Sequence, residues 1–132
     1  MTLVDSSVWI DFFSSAPGPG GHELKRLIAG AEPLALAGVI VTEVLQGLRR
    51  DVAQIEDQLA LWDLIEPEGF GTYCKAAALV RVARSRGVSL TTVDALIAAL
   101  ALESGSVLFT LDQDFTRIAS FSGLRIHAVA TN

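Results

Sequence analysis

One short pattern recurs along the chain: three or four consecutive apolar residues, an abrupt polar or acidic stop, then a stretch with helical periodicity. It begins at Thr2–Val4 before Asp5, returns at Leu34–Ala37, and returns again at Val107–Phe109 before Thr110, Leu111 and Asp112. A strand that is apolar at every position, rather than at alternate ones, is buried on both faces. Such strands separated by helices make a parallel sheet covered on both sides, so the predicted class is α/β.

The intervening segments fit. Ser6-Ser7 offers an N-cap for a helix through Val8-Trp9-Ile10 to Phe13, and Ser14–Gly21, rich in Pro and Gly, reads as a loop. Helices are predicted over His22–Ala29, Val39–Arg50, Asp51–Leu64, Phe70–Arg86, Thr91–Glu103 and Asp112–Phe121. Ile65 falls in a third strand cut short by Pro67, and Leu124–Val129 reads as a last strand. With no repeat, low-complexity tract or linker, residues 1–132 are expected to form one domain.

Hydrophobic residues make up 51% of the chain, which excludes a disordered polymer. The single Cys74 excludes a disulfide framework and a Cys-rich zinc site, so a reducing, cytoplasmic setting is expected. The first residues lack the basic region of a secretory signal, and no charge-free run approaches the roughly 18 residues of a membrane helix. The formal net charge of -5 argues against a passive nucleic-acid binder that works by a basic patch.

In open α/β sheets, ligands bind beyond the carboxyl ends of the strands. Asp5 follows the first strand, Glu43 lies early in the helix after the second, Asp94 is in the first turn of its helix, and Asp112 follows the Val107–Phe109 strand with Asp114 two residues on. These acids are 38, 51 and 18 residues apart, yet such a sheet can gather them at one edge. Packed carboxylates repel one another unless a cation neutralises them. Hard divalent ions, Mg2+ or Mn2+, take oxygen ligands and leave positions for water and phosphate. His22 and His127 show no zinc-ligand spacing.

Each acid also has a structural reading. Asp5 and Asp112 could cap the helices that follow, and Thr91–Asp94 has the spacing of a capping box. Glu43 is different, because its neighbours Val41, Val44 and Leu45 imply burial, and a buried Glu needs a partner. Asp11, Asp51, Glu56, Asp57, Asp63 and Glu103 are expected on solvated faces. Ser7 and Thr110 flank the acids as candidate hydrogen-bond donors. Of the eight arginines most read as surface, Arg81, Arg84, Arg86 and Arg117 among them; Arg49 and Arg50, just beyond Glu43, are the most suggestive.

Four segments, LVDSSVWIDFF, TEVLQGLRR, VDALIAALA and LFTLDQDF, together resemble the PIN-domain ribonucleases, and most closely the VapC-type toxins of bacterial toxin–antitoxin pairs. The likeness runs from residue 2 to about residue 128 in the family's order. It implies a three-layer α/β/α sandwich and an acidic metal site formed by Asp5, Glu43, Asp94 and Asp112, with Asp5 and Asp94 matching the most dependable ligands. Asp112 or Asp114 matches the fourth acid. It further implies a Mg2+-dependent endoribonuclease that inhibits translation, a cognate antitoxin, an RNA substrate and a homodimer.

Two other readings stand beside this one. Another phosphoryl-transfer domain would want an acid where Ser7 stands, or a Lys near the last strands, whereas Lys25 and Lys75 lie elsewhere. A non-catalytic module could bind a basic protein through its acidic edge. If the acids share one pocket, two divalent ions would bring the formal charge to -1, so the acidity would load metal rather than repel RNA.

Overall fold

A computed structural model of the chain describes residues 1–129. Its elements in order are β1 (Thr2–Val4), α1 (Ser6–Phe12), α2 (Pro19–Ala29), β2 (Leu34–Ala37), α3 (Gly38–Gln46), α4 (Val52–Leu59), β3 (Asp63–Ile65), α5 (Phe70–Ser85), α6 (Thr92–Ser104), β4 (Val107–Phe109) and α7 (Gln113–Ser122). Among the described residues the strands form one sheet in the order β3-β2-β1-β4, and every pairing is parallel. The predicted α/β architecture, a central parallel sheet flanked by helices, is what the chain adopts.

The order has a consequence for function. The chain moves outward from β1 through β2 to β3, then crosses back to place β4 on the other side of β1. Right-handed crossovers put the first two connections on one face and the returning one on the opposite face. The switch point lies between β1 and β4, and their carboxyl ends flank the crevice where such sheets bind ligands.

The core follows from the apolar runs. Leu3, Val4, Leu36, Leu108 and Phe109 are fully buried in the sheet, and Trp9, Leu24, Ile40, Ile97, Phe115 and Ile118 close over it from the helices. Helix α6 is apolar almost all round, with Ala95, Ile97, Ala98, Ala99, Leu100 and Ala101 buried, as expected of a helix packed on several sides. Its alanines let α5 approach closely. It ends at Gly105, whose φ of 68° is left-handed, and the Ser106 N–H returns to Ala101 O at 2.9 Å.

Four boundaries depart from the sequence reading, the first at α2, which begins at Pro19, inside the expected Ser14–Gly21 loop, because Pro is well suited to the first turn of a helix. The helix expected over Asp51–Leu64 stops at Leu59, because residues 63–65 pair with β2 in register Ala35↔Asp63. A sheet edge with open hydrogen-bonding groups outweighs local helical periodicity here. The helix expected to run to Arg50 stops at Gln46, before Gly47. The strand expected over Leu124–Val129 is a single parallel bridge, Leu108↔Ile126, with Leu108 N–H donating to Arg125 O and His127 N–H to Leu108 O, each at 2.8 Å.

Candidate functional site

Asp5 leaves β1 at the switch point and is only 4% exposed. It occupies the N-cap position of α1, yet its side chain makes no capping bond. Instead Oδ2 accepts from Ser7 Oγ at 2.8 Å and from Thr110 Oγ1 at 2.9 Å. The Asp5 backbone N–H donates to Phe109 O at 2.8 Å, which ties the end of β1 to the end of β4. Ser7 also accepts from the Leu111 N–H at 3.0 Å, and Thr110 from the Asp112 N–H at 3.1 Å. Two hydroxyls thus fix one carboxylate oxygen and the loop after β4 together. Both hydroxyl residues stand out in the sequence, and both serve the acid.

Glu43 projects from α3 and is half-buried. Ser6 donates to its Oε1 at 3.1 Å. Burial pushes the Glu43 carboxyl above the ordinary range, the Ser6 bond opposes this, and the charges of Asp5 and Asp94 add to the rise. The partner that a buried Glu requires is therefore Ser6, a residue the sequence marks only as a helix start.

Asp94 lies in the first turn of α6. The cap there is Thr91, whose Oγ1 accepts from the Asp94 backbone N–H at 3.1 Å. Burial raises the Asp94 carboxyl, Thr91 opposes, and Asp112, Asp5 and Asp114 each push it further up. Asp112 caps α7, its Oδ1 accepting from the Asp114 N–H at 2.9 Å, while Oδ2 has no hydrogen-bond partner among the described residues. Asp114 instead pairs with Arg117 at 3.0 Å. The four acids singled out by the sequence thus meet in one electrostatic neighbourhood, each contributed by a different segment. Among the described residues, no three His, Cys, Asp or Glu side chains are grouped closely enough to hold an ion as they stand.

Two other acids, Asp11 and Glu103, have structural work instead of the solvated faces expected of them. Asp11 accepts from the Gly18 and Gly21 N–H groups at 3.0 and 2.7 Å and so holds the start of α2. Glu103 accepts from Thr72 Oγ1 at 2.8 Å, the Glu68 N–H at 3.1 Å and Lys75 at 3.3 Å, tying α5 to α6. Arg49 and Arg50 are exposed beyond the end of α3.

A parallel sheet with acids collected near its switch point defines a class: α/β domains that gather carboxylates beyond their strand ends. Within it, the chain belongs to the PIN domain family, whose model matches residues 2–120. It is 29% identical over 129 residues to "Ribonuclease VapC11" of Mycobacterium tuberculosis, covering 95% of this chain and 96% of that protein. Its fold matches that of a toxin–antitoxin complex from Klebsiella pneumoniae with a TM-score of 0.73 and 23% identity, covering 94% of this chain and 95% of the other. It also matches the sarcin–ricin-loop-cleaving toxin VapC20 of Mycobacterium tuberculosis with a TM-score of 0.69 and 19% identity, covering 95% and 99%.

Proposed function

We propose that this chain is a VapC-type endoribonuclease, the toxin of a toxin–antitoxin pair, which hydrolyses RNA phosphodiester bonds with Mg2+ or Mn2+ and thereby inhibits translation. The observation that carries the reading is the convergence of Asp5, Glu43, Asp94 and Asp112 from four segments, with Glu43 and Asp94 pushed up partly by their fellow acids. Acids that repel one another across one edge fit a hard cation, since oxygen donors without a neutralising partner are its preferred ligands. They are not a closed cage, and that suits an ion that keeps several waters. In this reading Asp5 and Asp94 hold the ion, Glu43 completes the set directly or through water, and Asp112 is the fourth acid. Asp114 is the weaker candidate because Arg117 already pairs with it.

Bound there, such an ion would lower the pKa of a water and hold the scissile phosphate for in-line attack. The protein's own contribution is to orient and to move a proton. Ser7 and Thr110 turn Asp5 so that Oδ2 is fixed, and Oδ1 has no hydrogen-bond partner among the described residues. Ser6 occupies Oε1 of Glu43, Oε2 has no hydrogen-bond partner among the described residues, and the raised carboxyl makes Glu43 a better proton acceptor than an ordinary Glu.

A relative named as a ribonuclease along nearly the whole chain supports an RNA substrate, and the fold match to a toxin–antitoxin complex supports an antitoxin partner. Residues 1–132 act as one PIN-like domain in the cytoplasm, and the active form is a homodimer. Among the described residues no helix is long and apolar enough to cross a membrane. The test is cleavage of total RNA by purified protein in Mg2+ or Mn2+, with cut sites mapped, beside growth inhibition in cells. Asp5→Ala and Asp94→Ala are expected to abolish both; intact toxicity in both variants, with no cleavage by the parent, would overturn the reading. A protein-binding module without turnover would show no Mg2+ binding at these acids.

A further inference from the structure

An open cleft of about 370 Å³ lies between α5 and α6, with Tyr73, Arg81, Arg84, Thr92 and Leu96 among its walls. Tyr73, Ala77, Arg81 and Arg84 follow one another at spacings of four, four and three, so they share one face of α5. From Tyr73 to Arg84 that face runs about 16 Å at the helical rise. Thr92 opens α6 two residues before Asp94, so one end of the cleft and Asp94 share the first turn of the same helix.

Its charges are unanswered. Among the described residues Arg26 and Arg117 pair with acids, Arg86 lies over the Phe121 ring at 5.0 Å, and Arg125 donates to Gly105 O at 2.7 Å. Arg81 and Arg84 are exposed, and neither has an ion-pair or hydrogen-bond partner among those residues. Tyr73 exposes 54% of its surface, so much of the residue is accessible to a ligand in the cleft.

We propose that this cleft is the track along which single-stranded RNA reaches the acids: Arg84 and Arg81 contact its phosphates, and the Tyr73 ring stacks an unpaired base. The inference rests on the ribonuclease reading and adds to it the form of the substrate and the residues that hold it. Guanidinium forks match phosphate oxygens, and an aromatic platform beside a cationic groove binds unpaired strands without regard to sequence. The alternative occupant is a second copy of the chain. An isologous contact centred here would set two such arginine pairs against each other, which favours the polyanion.

The experiment uses the full chain and a fluorescein-labelled single-stranded RNA of mixed sequence, with Ca2+ replacing Mg2+ to keep a cation at the acids while slowing hydrolysis. Anisotropy gives affinity and its salt dependence; light scattering gives the mass of each variant. Arg81→Ala with Arg84→Ala is expected to weaken binding at least tenfold. It should also reduce the slope of log K against log salt by about 1.4, the value for two lost phosphate contacts on a single strand. Tyr73→Ala is expected to weaken binding about tenfold while Tyr73→Phe keeps it, since stacking needs the ring and not the hydroxyl. A duplex of the same sequence should compete poorly. With Mg2+ the variants should raise KM and leave kcat within about twofold of the parent. Unchanged affinity in all three variants overturns the proposal, and so does a loss of affinity that accompanies a change of mass, which assigns the face to a second copy. If the parent binds in this pattern yet cleaves nothing, the ribonuclease reading fails while the track stands. If the parent cleaves and the variants match it, the reverse holds.

Discussion

At the residue scale, the site sets function against stability. Asp94 is raised first by burial and then by its acidic neighbours, so the metal-free fold holds it as a carboxylate at a cost. A folded-state pKa above the unfolded value means that this cost is felt at neutral pH and relieved as pH falls. Asp94→Asn removes the charge and keeps the shape. We expect it to lower RNA cleavage by about a hundredfold or more, the scale of losing one preorganised group. Its melting temperature in EDTA should rise rather than fall, which calorimetry checks. Removing the ion from the parent carries the complementary expectation. In excess EDTA the acids repel phosphate, so RNA affinity should drop at least tenfold relative to Mg2+, and tight binding in EDTA would contradict the metal-bridged account. The positions of Asp5, Asp94 and Asp112 could be read because each follows an apolar run or opens a helix, and that of Glu43 because apolar neighbours surround it. What holds them was less so: Ser6 reaches Glu43 across 37 residues and Thr110 reaches Asp5 across 105, and no local pattern encodes such bonds.

At the element scale, the caps and close approaches divide cleanly. Thr91 caps α6 with its own side chain. Thr91→Ala should cost about 1 kcal/mol, seen as a fall of roughly 3–5 °C in melting temperature. Two neighbouring glycines of α2 give an ordering. A Cβ on Gly21 would lie 3.0 Å from the Phe12 Cα, which is backbone and cannot yield. One on Gly20 would lie 2.7 Å from Leu111 Cδ2, the far end of a side chain that can turn away. Urea unfolding should therefore rank Gly21→Ala as more destabilising than Gly20→Ala. The strands Thr2–Val4, Leu34–Ala37 and Val107–Phe109 were readable to the residue, because each is a run apolar enough for both faces of a sheet. The edges were not. β3 forms where Asp63 and Leu64 are exposed, since pairing with β2 rather than burial places it, and Leu124–Val129 has strand-like residues but makes only one bridge.

At the scale of the whole molecule, one polar clamp joins distant parts of the chain. Glu23 on α2 accepts from Arg26 at 2.6 Å and lies 2.7 Å from His127 Nε2, beside β4. The Arg26 bond, with the His127 contact adding, holds Glu23 down to about 2 from an ordinary 4.5. A depressed carboxyl stabilises the fold fully above its unfolded pKa and loses that contribution as pH falls through the folded one. Chemical unfolding of the parent and Glu23→Gln should therefore differ most at neutral pH. The gap should close between about pH 4.5 and pH 2. Solvent around the exposed Arg26 keeps the effect modest. The acids at the switch point carry a different consequence, for inheritance. Because burial and their fellow acids push Glu43 and Asp94 up, a substitution that removes either charge and keeps its shape is expected to leave the metal-free fold no weaker. Loss of these two charges would meet no resistance from folding, so a lineage would shed them by drift unless possession of a working site were itself under selection.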